Sequence, residues 1–318
     1  MKMEGNPART LVAAKLCVFL IGSLLVFRCS AAGSDCSAPI VLMNAFDKNL
    51  NVERGVRAED IKAEADGKQV PIVSLLLDAH PRRIVLMLDS SESVRASPQQ
   101  SGWGLAIAAA AYAAYVVPAS ASSQLVTFSD AMRRESNDFE NAKVVQQKIF
   151  DLAKTKPKGR TSLFDSIHQV IAEFKELRFG DAIYIVTDGG DNKSRVSRQK
   201  LMRELISRGI RVFVFLVQQG SPQTEEERSG ASDMYGFAES TGGAVVRITS
   251  DDPAGRKQLD DLAPKITAQV EGVYRLKLGI SERGKTYRVK LEFVDRDRKD
   301  STRNIVYSKE IVPCTDEP

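Results

Sequence analysis

The chain is poor in the residues that most often do chemistry. It has two histidines, four cysteines and one tryptophan in 318 residues. His80 precedes Pro81 and His168 sits beside apolar positions, so both read as structural. There is no G-x-S-x-G elbow and no H-E-x-x-H pair, which excludes the common hydrolase and zinc-protease signatures. There is no C-x-x-C and no Cys/His cluster, which removes a zinc site. Excess charge is scarce too. The formal net charge is +4, and Lys2, Arg9, Lys15 and Arg28 against Glu4 place +3 of it in the first thirty residues. The remaining body carries +1 and has no electrostatic footprint for nucleic acid. Long apolar runs are also missing. Trp103–Val117 is Ala-rich and nearly all apolar, but as a helix it would reach only about 22–24 Å before Pro118 stops it, short of a bilayer.

The N-terminus has the order of a targeting segment. A basic stretch with Lys2, Arg9 and Lys15 precedes the apolar run Leu16–Phe27, and Ser30-Ala31-Ala32 follows with small residues suited to cleavage. The expectation is a signal peptide over 1–32, with an uncleaved membrane anchor as the alternative. The chain is then exported to a periplasmic, cell-envelope or extracellular space, and it meets a membrane only if the signal stays. Cys17 and Cys29 leave with the segment, whereas Cys36 and Cys314 remain near the two ends. In an oxidising compartment that pair is either a disulfide or two separate thiols, and non-reducing peptide mapping separates the two.

Three segments follow. Residues 33–80 read as β: Ile40–Phe46 is apolar, and Asp66-Gly67 between Ile61–Ala65 and Gln69–Leu77 is a hairpin signal. Residues 81–272 alternate strand and helix. Ile84–Asp89 (IVLMLD) and Arg211–Val217 (RVFVFLV) are the continuous apolar runs of strands buried on both faces, and Leu163, Ile167, Val170, Ile171, Phe174 and Leu177 recur at helical spacing. Residues 218–232, with Glu225-Glu226-Glu227, read as a solvated, mobile loop, followed by a short helix before Thr241-Gly242-Gly243. Residues 273–318 return to β, with alternation at Tyr274–Ile280 and Tyr287–Phe293 and a last strand near Ile305–Val312. The predicted fold class is α/β, a doubly wound, mostly parallel sheet. It is inserted in, or flanked by, a small β-sandwich built from the terminal strands, neither set of which closes a core alone.

The informative residues lie at strand ends. The first buried strand runs into Asp89-Ser90-Ser91-Glu92-Ser93, a D-x-S-x-S pattern. Thr161 stands in GRTSLFDSI at the start of the apolar helix, and Asp188 in IVTDGG at the end of another strand. Two carboxylates and three hydroxyls form an all-oxygen set suited to a small, hard cation such as Mg²⁺ or Mn²⁺. Strand-end loops of an open α/β sheet are where ligands bind. Asp165, one turn after Thr161, is placed to orient the site from behind. Asp191 and Asn192 are placed to shape the loop after Asp188.

These three pieces, in this order, resemble the metal-ion-dependent adhesion site of von Willebrand factor type A domains. LVTFSD (Leu125–Asp130) and FAESTGGAVV (Phe237–Val246) extend the likeness, which covers about 82–272. The stretch RAEDIKAEADGKQVPIVSL before it resembles a related subfamily described from acidobacterial genomes. The resemblance implies that Asp89, Ser91, Ser93, Thr161 and Asp188 hold the cation and that a partner protein's Asp or Glu completes its shell. Two other classes stand beside that reading. One is a scaffold with a vestigial site that binds through its β segments. The other is a metal-dependent hydrolase, against which stands the lack of a second Asp in D-x-S-x-S or of any acid–base pair.

Overall fold

A computed structural model describes residues 39–313 apart from 50, 96–101, 177, 219–224, 251, 281–284 and 295–302. The targeting segment, Cys36, Cys314 and Leu177 lie outside the described residues. No helix among the described residues is long and apolar enough to cross a membrane.

The chain opens with β1 (Ile40–Phe46), β2 (Ile61–Ala65), β3 (Lys68–Gln69) and β4 (Ile72–Leu77). The α/β part follows: β5 (Arg83–Asp89), α1 (Gly102–Tyr115), β6 (Ser122–Phe128), β7 (Met132–Arg134), α2 (Ala142–Leu152), α3 (Leu163–Ile171) and β8 (Ala182–Thr187). It continues through α4 (Arg198–Ser207), β9 (Arg211–Val217), α5 (Glu225–Thr241), β10 (Ala244–Ile248) and α6 (Pro253–Glu271). The chain closes with β11 (Tyr274–Leu278), β12 (Tyr287–Phe293), β13 (Asn304–Tyr307) and β14 (Glu310–Ile311).

The central sheet has six strands in the order β10-β9-β8-β5-β6-β7, all parallel except the antiparallel edge strand β7. Its central strands β5, β8 and β9 are almost wholly apolar because both faces are covered. Ile84, Leu86 and Leu88 pack with α1, α2 and α6 on one side, while Val85 and Met87 pack with α3, α4 and α5 on the other. The alanines of α1 that are buried (Ala106, Ala109, Ala110, Ala113, Ala114) let that helix lie close to the sheet. The connection after β5 leads to one side, toward β6, and the connection after β8 leads to the other, toward β9. The switch point therefore lies between the carboxyl ends of β5 and β8.

The terminal strands form two four-stranded sheets, β13-β1-β11-β4 and β14-β12-β2-β3, which share one apolar core. The expected sandwich is present, but two of its strands behave differently from the sequence reading. The predicted strand 69–77 is split at Val70–Pro71: β3 pairs with β2 and β4 pairs with β11 of the opposite sheet. Pro71 has no N–H to continue the ladder, so the chain turns a corner there. The predicted strand 305–312 splits in the same way, β13 pairing with β1 and β14 with β12. The turn at Asp66 and Gly67 has φ of 48° and 77°, the left-handed pair a tight hairpin needs. A third correction concerns residues 218–232. Their C-terminal half belongs to α5, a 17-residue helix rather than a short one. Glu225 opens it, where an acid complements the positive helix end, and Met234 and Phe237 anchor it in the core.

The sandwich joins the α/β part at the amino ends of the parallel strands. There Arg211, 1% exposed, heads β9. Its guanidinium donates to the carbonyl of Gly242, to Gln269 O at 2.6 Å and to Asn44 Oδ1 at 2.8 Å. Asn44 of β1 donates in turn to Gln269 O at 2.7 Å and Gly272 O at 2.8 Å. A cation and an amide thus satisfy the carbonyls at the end of α6, where helix polarity favours positive charge. Burial pushes the Arg211 pKa down, and the carbonyl cage is what holds the charged form in place. Arg211→Ala is expected to lower the unfolding free energy by about 3–5 kcal/mol, because several buried acceptors lose their donor together. Urea denaturation measures this, and a loss within error of zero would show that the cage is dispensable.

Candidate metal centre

β5 ends at Asp89 and β8 at Thr187, so the two neighbouring strands deliver Asp89 and Asp188 to the switch point side by side. Asp89 and Ser91 are fully buried, Thr161 is 1% exposed, Asp188 is half-buried and Ser93 is exposed at the start of a one-turn 3-10 helix. Asp89 Oδ1 accepts from the Ser91 N–H at 2.9 Å, which curls the loop back over the carboxylate. Ser91 Oγ and Ser93 Oγ come within 2.9 Å, so the alternate spacing brings the two hydroxyls together. Asp89 Oδ2 accepts from Thr187 Oγ1 at 2.8 Å, and Thr187 Oγ1 accepts from the Gly189 N–H at 3.0 Å. The Gly190 N–H donates to Asp188 Oδ1 at 3.0 Å.

Backbone hydrogen bonds hold the three loops to one another. The Glu92 N–H donates to Gly159 O at 3.0 Å, and the Lys158 N–H to Ser90 O at 2.9 Å, joining the first loop to the second. The Thr161 N–H donates to Asn192 Oδ1 and the Asn192 N–H to Thr161 O, both at 3.1 Å, joining the second to the third. Asp165 faces the third loop: its Oδ1 accepts from the Arg195 and Val196 N–H groups at 2.9 and 2.8 Å, and its own N–H donates to Ser194 Oγ. It braces the loop that carries Asp188. Gly189, at φ 96°, lies so close to Gly230 of α5 that a Cβ on Gly230 would come within 1.9 Å of Gly189 O. Only a glycine pair permits that approach.

The structure therefore gathers the segments bearing Asp89, Ser91, Ser93, Thr161 and Asp188 at one place. Thr187, which locks Asp89, was missed by the sequence reading. Its only signal is a hydroxyl at a strand end directly before Asp188. Among the described residues no group of three or more His, Cys, Asp or Glu is arranged to hold a metal. A cation here would draw on two carboxylates and neutral hydroxyls, a hard-oxygen donor set that fits Mg²⁺ or Mn²⁺.

Electrostatics gives the two acids a strained relation. Burial, then the charge of Asp188, pushes Asp89 up to about 7, although hydrogen bonds from Ser91 and Thr187 pull the other way.

Residues 84–252 match the von Willebrand factor type A domain family. The chain belongs to that family. The matched span contains all five positions named above. Among solved structures, a von Willebrand factor type A protein from Catenulispora acidiphila is 12% identical, covers 89% of this chain and 76% of its own, and has a TM-score of 0.47. BatB from Bacteroides thetaiotaomicron is 14% identical over 58% of this chain and 98% of its own, with a TM-score of 0.45. Proximal thread matrix protein 1 from the mussel byssus is 17% identical over 65% of this chain and half of its own length, with a TM-score of 0.46. No curated protein matches the chain.

For this von Willebrand factor type A domain, the sign of the Asp89 effect is definite. The folded chain without metal keeps its proton up to about pH 7, whereas the unfolded chain releases it near 3.8. The contribution to stability is whole below that lower value and is lost as pH rises to about 7. Asp89→Asn is expected to raise the stability of EDTA-treated protein at pH 7 by on the order of 2–4 kcal/mol and to flatten the slope between pH 4 and 7. Thermal midpoints across that range test it. A variant less stable than the parent at pH 7 would show that the buried carboxylate is not in conflict with its neighbour.

Proposed function

We propose that the protein is an exported binding module that captures a carboxylate of a partner protein through a divalent cation, Mg²⁺ or Mn²⁺. Asp89 and Asp188 would hold the ion by charge, and Ser91, Ser93 and Thr161 by neutral oxygen, directly or through water. The ion supplies an electrophilic centre with a coordination position left for an outside ligand. The remaining work falls to the chain. Thr187 and the Ser91 amide aim the Asp89 carboxylate, Asn192 fixes the Thr161 loop, and Asp165 keeps the third loop seated. The observation that carries this reading is the convergence of two carboxylates, one fully buried, with paired hydroxyls at the switch point of the sheet. Buried like charges are costly, and a bound cation removes the conflict. The β segments on either side support placing the chain in the subfamily described from acidobacterial genomes. We read the protein as a binder rather than an enzyme, because among the described residues no acid–base pair stands beside these oxygens. His168 is engaged with Glu204 at 2.6 Å and His80 with Asp78 at 2.7 Å.

Thermal unfolding in EDTA and then in Mg²⁺, Mn²⁺ or Ca²⁺ tests the centre. At 100 times its Kd, a bound ion adds about 2.7 kcal/mol to stability, a readily measured shift. The shift is expected in the parent chain and not in Asp89→Ala. Its absence at high metal concentration would mark the site as vestigial and direct the search for partners to the β segments. Metal-dependent turnover of model esters or phosphoesters would replace the binding role with a catalytic one.

A further inference from the structure

We propose that the carboxylate captured at the metal centre belongs to an acidic segment of its partner, and that Lys158, Arg160, Lys193 and Arg195 bind the acids flanking it. This inference rests on the function proposed above and names the class of partner. All four side chains are exposed, and all four stand on the second and third loops of the site. Their backbones are not free to wander. The Lys158 N–H is bonded to Ser90 O and the Gly159 carbonyl to the Glu92 N–H, so Lys158 and Arg160 flank a residue tied to the D-x-S-x-S loop. Lys193 follows Asn192, which is paired with Thr161, and the Arg195 N–H is held by Asp165.

Three nearby acids are already engaged. Asp130 is in an ion pair with Lys193 at 2.7 Å. Asp191 Oδ1 accepts from the Ser194 N–H at 3.2 Å, and Asp165 is engaged by the two backbone amides. Arg160 reaches the carbonyl of Asn192. Among the described residues, Lys158 and Arg195 have no ion-pair partner, so two cations at the mouth are uncompensated. Glu92 is exposed on the first loop, which also carries Arg95, and Glu225 is exposed at the start of α5, the helix whose Gly230 packs on Gly189. The uncompensated positive charge therefore stands on the second and third loops, while the first loop has Glu92 and Arg95 in balance. A peptide whose central carboxylate enters the site would gain from further carboxylates only where it crosses the cationic side. A segment of clustered Asp and Glu fits this pattern better than an isolated acid in a neutral stretch, and steering by the same field would speed its arrival.

The test uses the full chain in Mg²⁺ with two synthetic peptides. One carries a single Glu among Gly and Ser, and the other carries the same Glu with two acids on each side. Exposed ion pairs are individually weak, about two- to fivefold each. The two free cations together are therefore expected to make the acidic peptide about tenfold tighter at low salt, with the gap narrowing as salt is raised. Lys158→Gln combined with Arg195→Gln is expected to bring the acidic peptide close to the single-acid level while the Mg²⁺-induced thermal shift persists. Equal affinity of the two peptides, or undiminished binding by the double variant, would overturn the proposal and leave the metal centre standing. Tighter binding of a sulfated polysaccharide than of the acidic peptide would overturn it in favour of a glycan partner. Loss of the Mg²⁺ shift in the parent chain would bring down the underlying function instead.

Discussion

The burial of one carboxylate beside another at the junction of β5 and β8 is the constraint around which this molecule is organised. Asp89 is out of water, Asp188 is next to it, and the polar groups that face Asp89 are hydroxyls and an amide. An apolar sheet end gains nothing by carrying two acids, and the cation proposed above would relieve their conflict. The surrounding geometry follows from that need. Three loops must converge, so they are bonded to one another by main-chain groups. The third loop must pass close to α5, so Gly189 and Gly230 meet where no side chain would fit.

The opposite end of the sheet is built on a different principle. There the main charged groups are held in ion pairs and carbonyl contacts. Arg83 at the head of β5 is bonded to Asp181 before β8, Arg82 to Asp78, and Arg211 to the carbonyls at the end of α6. One end of the parallel sheet carries an electrostatic conflict, and the other carries its resolution into a welded joint with the sandwich. This division matches the general behaviour of open α/β sheets, in which ligands gather at the carboxyl ends of the strands.

Much of this was legible in the residues. Continuous apolar runs marked the buried strands, and alternation marked those of the sandwich. The oxygen-bearing positions were readable because their order and strand-end context are unusual together, though not singly. The parts that were not legible depend on long-range partners. Thr187 is an ordinary strand residue until Asp89 lies beside it. Arg211 heads an apolar strand and gives no local hint that it will be enclosed by Gly242, Gln269 and Asn44. Of the strands that change sheets, the first has Pro71 as a local mark of its corner, whereas at Ser308–Lys309 the residues carry no such mark and the pairing reveals it. Glu225 was read with its neighbours as part of a loop because a run of acids looks like solvated chain. As a helix start the same residue is well placed.

The insertion of the α/β part into the sandwich has a mechanical consequence. The chain leaves the sandwich through β4 and returns through β11, and these two strands lie side by side, with the Asp78 N–H bonded to Val273 O at 2.9 Å just beyond the last pair. Tension applied between residues 39 and 313 would pass along β1 and β14 and be borne by the sandwich ladders. The α/β part would hang from two adjacent, cross-bonded strands outside that line of force. It would behave as a pendant on a tether, kept in shape while its anchor is stretched, and loaded only by whatever grips its far end.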